Sequence, residues 1–203
     1  AHQSPHFAVG SAIINGSPRD LVAWAYYFCE FNLWLPRRET REIAEMATCG
    51  LSLKRRAFAQ YGPFISGTYC SDTAFHWRLA HDGHKVLFVP SIRFAHTVSY
   101  RAGGFLRHIA AHRRSFAGVA VQEKKLPRPT RFAAALATAF LPPLLVPIIA
   151  WRVVRSGNLL RPFILALPMV LLGVLARAWG EFLGFATANA RPAQLPPEPP
   201  RTT

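Results

Sequence analysis

The sequence predicts a mixed α/β domain followed by a transmembrane helical hairpin, on three observations. Residues 1–131 intersperse apolar residues with charge and with turn signals at Asn15-Gly16, Tyr61-Gly62-Pro63 and Asp82-Gly83, the pattern of a chain that alternates helices with strands. From Phe132 to Trp151 runs FAAALATAFLPPLLVPIIAW, twenty uncharged residues that match the span of a bilayer core. A second apolar segment, Pro162 to Phe185, is interrupted only near its end by Arg177 and Glu181.

Composition agrees with that division. An apolar fraction of 51% is high for a chain of 203 residues that also carries a net charge of +14, so part of the surface is expected to meet lipid. The 24 Lys and Arg against 10 Asp and Glu favour an anionic partner: a phosphate ligand, a lipid headgroup or a nucleic acid. Nucleic acid is disfavoured, because much of the basic charge flanks apolar segments and no aromatic-basic recognition module is present. Cys29, Cys49 and Cys70 form no CxxC pair and are odd in number, which fits reduced thiols serving as small core residues. The chain opens on alanine with no signal-peptide pattern, and reads as the C-terminal part of something longer.

Taken in order, the first long apolar stretch is Asp20 to Leu35. It is short for a span and contains Glu30, so it is expected to be a core helix or, given Trp24, Tyr26, Tyr27 and Trp34, a helix at the headgroup boundary. The mixed charges of PRRETREIAEMATCG, residues 36–50, suggest a solvated helix or mobile loop. A helix follows over residues 71–82, with Ser71 as N-cap, Asp72 in the first turn, Phe75 and Leu79 on one face, Arg78 paired to Asp82, and Gly83 as the stop. The positive end of the helix dipole favours an acidic side chain where Asp72 stands, within reach of a proton or hydrogen bond. KVLFV is then a short buried strand closed by Pro90, and IRFAH a second extended piece that delivers His96. Periodicity alone favours the bland reading, with Asp72 a helix-cap carboxylate and His96 a satisfied half-buried imidazole.

The remaining polar clusters have bland readings beside functional ones. His108 and His112 have the i,i+4 spacing of a zinc pair but lack a HExxH pattern or a third ligand, so a solvated helix face is expected. His76, His81 and His84 are expected at the surface. Arg107, Arg113 and Arg114 either reach a diphosphate or anionic lipid, as guanidinium groups pair bidentately with phosphate, or are simply solvated.

Lys124, Lys125, Arg128 and Arg131 before the first apolar segment place that flank in the cytoplasm. A hairpin puts Arg152, Arg155 and Arg161 outside, whereas Pro142, Pro143 and Pro147 allow a re-entrant segment that keeps them inside. Arg177 and Glu181, four residues apart, can pair on one helix. Residues 132–185 are therefore assigned two transmembrane helices. The proline-rich residues 186–203 are assigned a disordered tail.

Residues Thr48 to Ser99 resemble the C-terminal half of the catalytic domain of family 2 glycosyltransferases. The family order is an Asn-x-Ser/Ala-x-Arg-Arg turn, an aromatic, a Gly-x-Phe turn, a Glu-Asp pair opening a helix that carries an Arg, a Gly turn, a strand ending Val-Pro, and a His. Here Ser52, Lys54, Arg55, Phe58, Gly62, Phe64, Asp72, Arg78, Gly83, Val89, Pro90 and His96 match it. AHRRSFA, with Arg113 and Arg114, resembles the basic helix after that domain, and the apolar pair ending GEFLGF resembles the family's membrane-anchored members.

The resemblance implies a partial GT-A fold over residues 1–131 and a membrane-anchored, multi-pass inverting enzyme with its catalytic part in the cytoplasm. It would move a sugar from a nucleotide-sugar donor to a lipid-linked or glycan acceptor. Asp72 would be the general base, Ser71, Arg78, Arg113 and Arg114 would contact substrate, and His96 would lie near a divalent cation, Mg or Mn. Two departures weaken the transfer: Gly50 stands for the family's Asn, and Ser71 for the Glu of its acidic pair. The Asp-x-Asp element that holds the cation is absent, since Asp20, Asp72 and Asp82 are the only aspartates. The donor-binding half is thus expected to be missing and residues 1–203 alone inactive, the alternative being a non-catalytic membrane adaptor derived from the same fold.

Overall fold

A computed structural model describes residues 3–36 and 39–190 of the chain. Its centre is a four-stranded mixed sheet. The first strand, β1 (Ala8–Asn15), has no alternation because both its edges and both its faces are covered; its first six residues are all buried. Small residues let its neighbours close in, with Gly10 against Met46 and Val86. At its end Gly16 donates its N–H to the His96 carbonyl, and a Cβ there would meet Thr97 Oγ1 at 2.5 Å.

Helix α1 (Leu21–Phe31) is capped by Asp20, whose carboxylate accepts from the N–H groups of Val22 at 2.8 Å and Ala23 at 3.4 Å. It is a core helix: every residue from Ala25 to Phe31 is buried, Glu30 included, and Tyr27 donates its hydroxyl to the Ile13 carbonyl of β1. The expected boundary role fails because α1 is wrapped by later parts of the chain. The charged stretch after it contains a short strand, β2 (Arg41–Ile43), then a 3₁₀ turn (Thr48–Gly50) and β3 (Leu51–Leu53). Helix α2 (Arg55–Tyr61) leads to α3 (Ser71–His81) and β4 (Val86–His96).

The sheet order is β2-β4-β1-β3, with β4 parallel to β1 and the outer strands antiparallel to their neighbours. KVLFV and IRFAH form one strand and not two. The register steps from Ser11↔Val89 to Ala12↔Arg93, so Pro90, Ser91 and Ile92 form a bulge, a site where proline's missing N–H is tolerated.

Helix α4 (Ala102–Glu123) lies across the domain, and three helical segments follow: α5 (Arg128–Ala137), α6 (Leu141–Ser156) and α7 (Leu160–Thr187). Arg128–Ser156 and Leu160–Thr187, 29 and 28 residues, are long and apolar enough to cross a membrane. Helix α7 buries one stripe, Phe163, Ala166, Val170, Gly173, Val174, Gly180, Glu181 and Gly184, against α1 and α4. Its other faces leave Ile164, Leu165, Leu171, Leu172, Leu175 and Trp179 exposed. Gly180 and Gly184 form a G-x-x-x-G pair that brings α7 onto the Ala110 and Arg114 carbonyls of α4. The chain is thus a mixed α/β domain bearing two long apolar C-terminal helices. Of residues 186–203, assigned to a disordered tail, Ala186 and Thr187 instead close the last turn of α7, because the helix runs on past Phe185, and 191–203 lie outside the described residues.

Candidate functional site

Where the sheet domain meets the apolar helices there is a cavity of about 410 Å³, inside the usual range for small-ligand sites. The C-terminal half of α1, residues 45–49 and the N-terminus of α3 form one side; α4, α6 and α7 form the other. Asp72, His96 and Arg113 line it, while Ser71, Arg78 and Arg114 do not.

Asp72 stands in the first turn of α3, as expected, and is held from outside the helix. Its Oδ2 accepts from the Thr48 N–H at 3.0 Å and the Thr48 hydroxyl at 2.8 Å, and its Oδ1 from the Thr73 N–H at 2.9 Å. Gly50 closes the 3₁₀ turn that carries Thr48 and packs under Met46, whose Cε a Cβ there would meet. The glycine that stands where the family has Asn is buried against Met46. Ser71 is not the N-cap. Cys70 occupies that position, in a left-handed conformation (φ 63°) without a capping side-chain bond, and Ser71 is the first helical residue.

Arg78 does not pair with Asp82. Its guanidinium takes both Glu123 oxygens, at 3.2 and 2.6 Å, because the end of α4 runs beside α3; Asp82 instead accepts from the Tyr61 hydroxyl at 3.0 Å. Arg113 reaches the cavity wall but is bound to Glu30, its Nη2 lying 3.2 and 3.1 Å from the two carboxylate oxygens. Arg114 is half-buried beside Gly184 of α7, and Arg107 is exposed.

His96 ends β4 in an aromatic box, stacked on Tyr26 (5.6 Å between ring centroids, 12° between planes) and edge-on to Phe31 at 4.8 Å. Burial pushes its pKa down, keeping the imidazole neutral, and its Nδ1 is buried without a partner. A neutral imidazole is competent to bind a metal, yet among the described residues no group of three His, Cys, Asp or Glu side chains could hold one. These residues alone do not fit a resident divalent cation.

Glu30 and Glu45, both in the cavity wall, carried no signal of a functional role in the sequence. Glu30, buried in α1, would be pushed up by burial, but Arg113 and His112 overcome this and hold its carboxyl well below the usual carboxylate range. Glu45 shares the cavity with Asp72; burial raises its pKa, and the Asp72 charge adds to the rise. His108 and His112 are not on a solvated face: α4 turns them inward, 6.0 Å apart, against Tyr69 and Tyr100. Burial, reinforced by His112, pushes the His108 pKa down to about 4, whereas Glu30 raises that of His112 against its own burial. His76, also expected outside, is fully buried, with Nδ1 2.7 Å from the Asp72 carbonyl. His81 is exposed as expected, and His84 is half-buried against Phe7. Arg177 and Glu181 pair at 2.9 Å on the inward face of α7, and Arg177 lines the cavity. The arrangement can place a hydroxyl-bearing ligand against an oriented carboxylate, with an apolar wall behind it. No family model, curated protein or solved structure matches this chain at a significant level.

Proposed function

We propose that residues 1–203 are the acceptor-side portion of a membrane-anchored inverting glycosyltransferase with a GT-A-like domain. The observation that carries this reading is the position of Asp72: a helix N-terminus, a carboxylate oriented by Thr48, and a cavity whose far wall is made by the two membrane-length helices. In this reading the acceptor enters from the membrane side and presents a hydroxyl to Asp72. Asp72 takes the hydroxyl proton as the oxygen attacks the anomeric carbon, and displacement from the opposite face inverts that centre. Glu45, whose carboxyl holds its proton more tightly than usual, supplies a second acidic group near the acceptor, which Ser71 does not.

The reaction also needs a nucleotide-sugar site and charge neutralisation for the leaving diphosphate. Residues 1–203 contain no Asp-x-Asp, and Arg78 and Arg113 are held by Glu123 and Glu30. The donor site is therefore assigned to protein outside these residues, along with any Mg or Mn. The same two ion pairs favour a second reading, a non-catalytic membrane adaptor that keeps the cavity without the chemistry. The test is an assay of membranes containing the protein with its upstream coding sequence, over a panel of radiolabelled nucleotide sugars with magnesium or manganese. Label transferred to a lipid or glycan supports the enzyme; donor neither bound nor consumed supports the adaptor.

A further inference from the structure

Cys70, His112 and Glu30 form a chain of contacts across three helices. Cys70 Sγ lies 3.2 Å from His112 Nε2, and His112 Nδ1 lies 3.1 Å from Glu30 Oε2. The order is that of a nucleophile, a base and a carboxylate: Cys70 and His112 are at hydrogen-bond distance, while His112 Nδ1 and Glu30 are in ion-pair contact without hydrogen-bond alignment. Two further observations set Cys70 apart from a packing residue. It adopts φ 63° at the start of α3, a strained backbone for a side chain with a Cβ, although it makes no capping bond there. It also lines the cavity, beside an apolar wall of Ile109, Leu145, Ile149 and Val174 that continues into the membrane-length helices.

We infer that Cys70 is an activated thiol, served by His112 and Glu30, that takes a fatty acyl group from an acyl thioester. In the reacting pair the proton sits on His112 Nε2, as an imidazolium that Glu30 stabilises, and the Cys70 sulfur is left as the nucleophile. The sulfur then attacks the thioester carbonyl carbon; the new S–C bond forms, the bond to the leaving sulfur breaks, and the Nε2 proton goes to that leaving thiolate. The products are acyl-Cys70 and a free thiol, with no change in oxidation state. The acyl chain lies along the apolar wall.

The charged and titratable groups around His112 fit this role. Arg113 and Arg177 face Glu30 from α4 and α7 and keep it anionic, while His108, pushed down by burial, stays neutral and adds no competing charge. The other two thiols are poor nucleophiles by contrast. Burial pushes Cys29 up to about 12 and Cys49 up to about 11. Cys49 is nevertheless more exposed than Cys70, so exposure and activation predict opposite orders of reaction. This inference does not depend on the glycosyltransferase reading.

The experiment is residue-resolved thiol labelling of the membrane-embedded protein at neutral pH, first with limiting iodoacetamide and then with palmitoyl-coenzyme A. Cys70 should be alkylated about tenfold or more faster than Cys49, because His112 Nε2 stands at its sulfur to take the proton and Cys49 has no such base among the described residues. Palmitoyl-coenzyme A should add a hydroxylamine-labile acyl group to Cys70 alone. His112→Gln should bring Cys70 down to the Cys49 rate, with protection of Cys29 reporting an intact fold. The wild-type order decides even if that variant unfolds. Cys49 reacting first overturns the activated thiol, and alkylation of Cys70 without acyl transfer overturns the acyl assignment.

Discussion

Thr48 donates both its backbone N–H and its hydroxyl to the same oxygen of Asp72, at 3.0 and 2.8 Å, tying a 3₁₀ turn to the first turn of α3. The pair fixes the direction of a carboxylate that lines the cavity and that the proposed reading sets against an acceptor hydroxyl. Thr48→Val keeps the N–H and removes the hydroxyl, so it loosens Asp72 without unfolding the turn. Transfer should fall about tenfold through turnover, with acceptor KM little changed, since positioning acts on the transition state. Steady-state kinetics check this; a change confined to KM would show that Thr48 binds acceptor instead.

Glu30 is buried with Arg113 and His112, so its ionisation contributes to the stability of the fold. Its folded pKa is lowered, so its contribution is present above the ordinary value of 4.5 and is lost as pH falls through the folded value. His112 has the opposite sign: its folded pKa is raised, so its contribution is fully present below 6.5 and is lost as pH rises through the folded value. Thermal unfolding in detergent should therefore show a midpoint that declines below pH 4.5 and again well above 6.5. Glu30→Ala should lower stability by about 3–5 kcal/mol, the cost of leaving a buried partner unpaired.

The close approach of α7 to α4 predicts that Gly180 tolerates little. A Cβ there runs into the Ala110 carbonyl, so Gly180→Leu should cost about 1–3 kcal/mol or separate the helices. Cross-linking between cysteines placed on α4 and α7 reports the separation; full cross-linking with an unchanged melting point would contradict the packing.

Much of this was legible from sequence and some was not, for physical reasons. The apolar spans, the Arg177–Glu181 pair and Asp72 at a helix start follow from length, i,i+4 spacing and a Gly stop, all local properties. β1 was silent because a strand covered on every side has no alternation. The Arg78–Asp82 pair and the solvated histidine face failed for one reason: α4 supplies Glu123 to Arg78 and buries His108 and His112, and a partner so distant in the chain leaves no local pattern. Cys70 displaced Ser71 at the cap through a backbone conformation that residue type disfavours.

Exposed apolar faces on α6 and α7 predict attachment by insertion and not by charge. The protein should stay in the membrane fraction through high-salt and carbonate washes, because apolar burial is not screened by salt as basic-patch attraction is. Release into the supernatant would assign attachment to the basic surface.

The central claim is that Asp72 is the base that takes the acceptor proton, and one substitution tests it most directly. Asp72→Asn preserves shape and removes the proton acceptor, so under the proposed reading sugar transfer by the protein expressed with its upstream coding sequence should fall by about 10²–10⁴-fold while nucleotide-sugar binding stays close to wild type. Turnover within a few-fold of wild type would contradict that role for Asp72 and leave its contacts with Thr48 and Thr73 as helix capping alone.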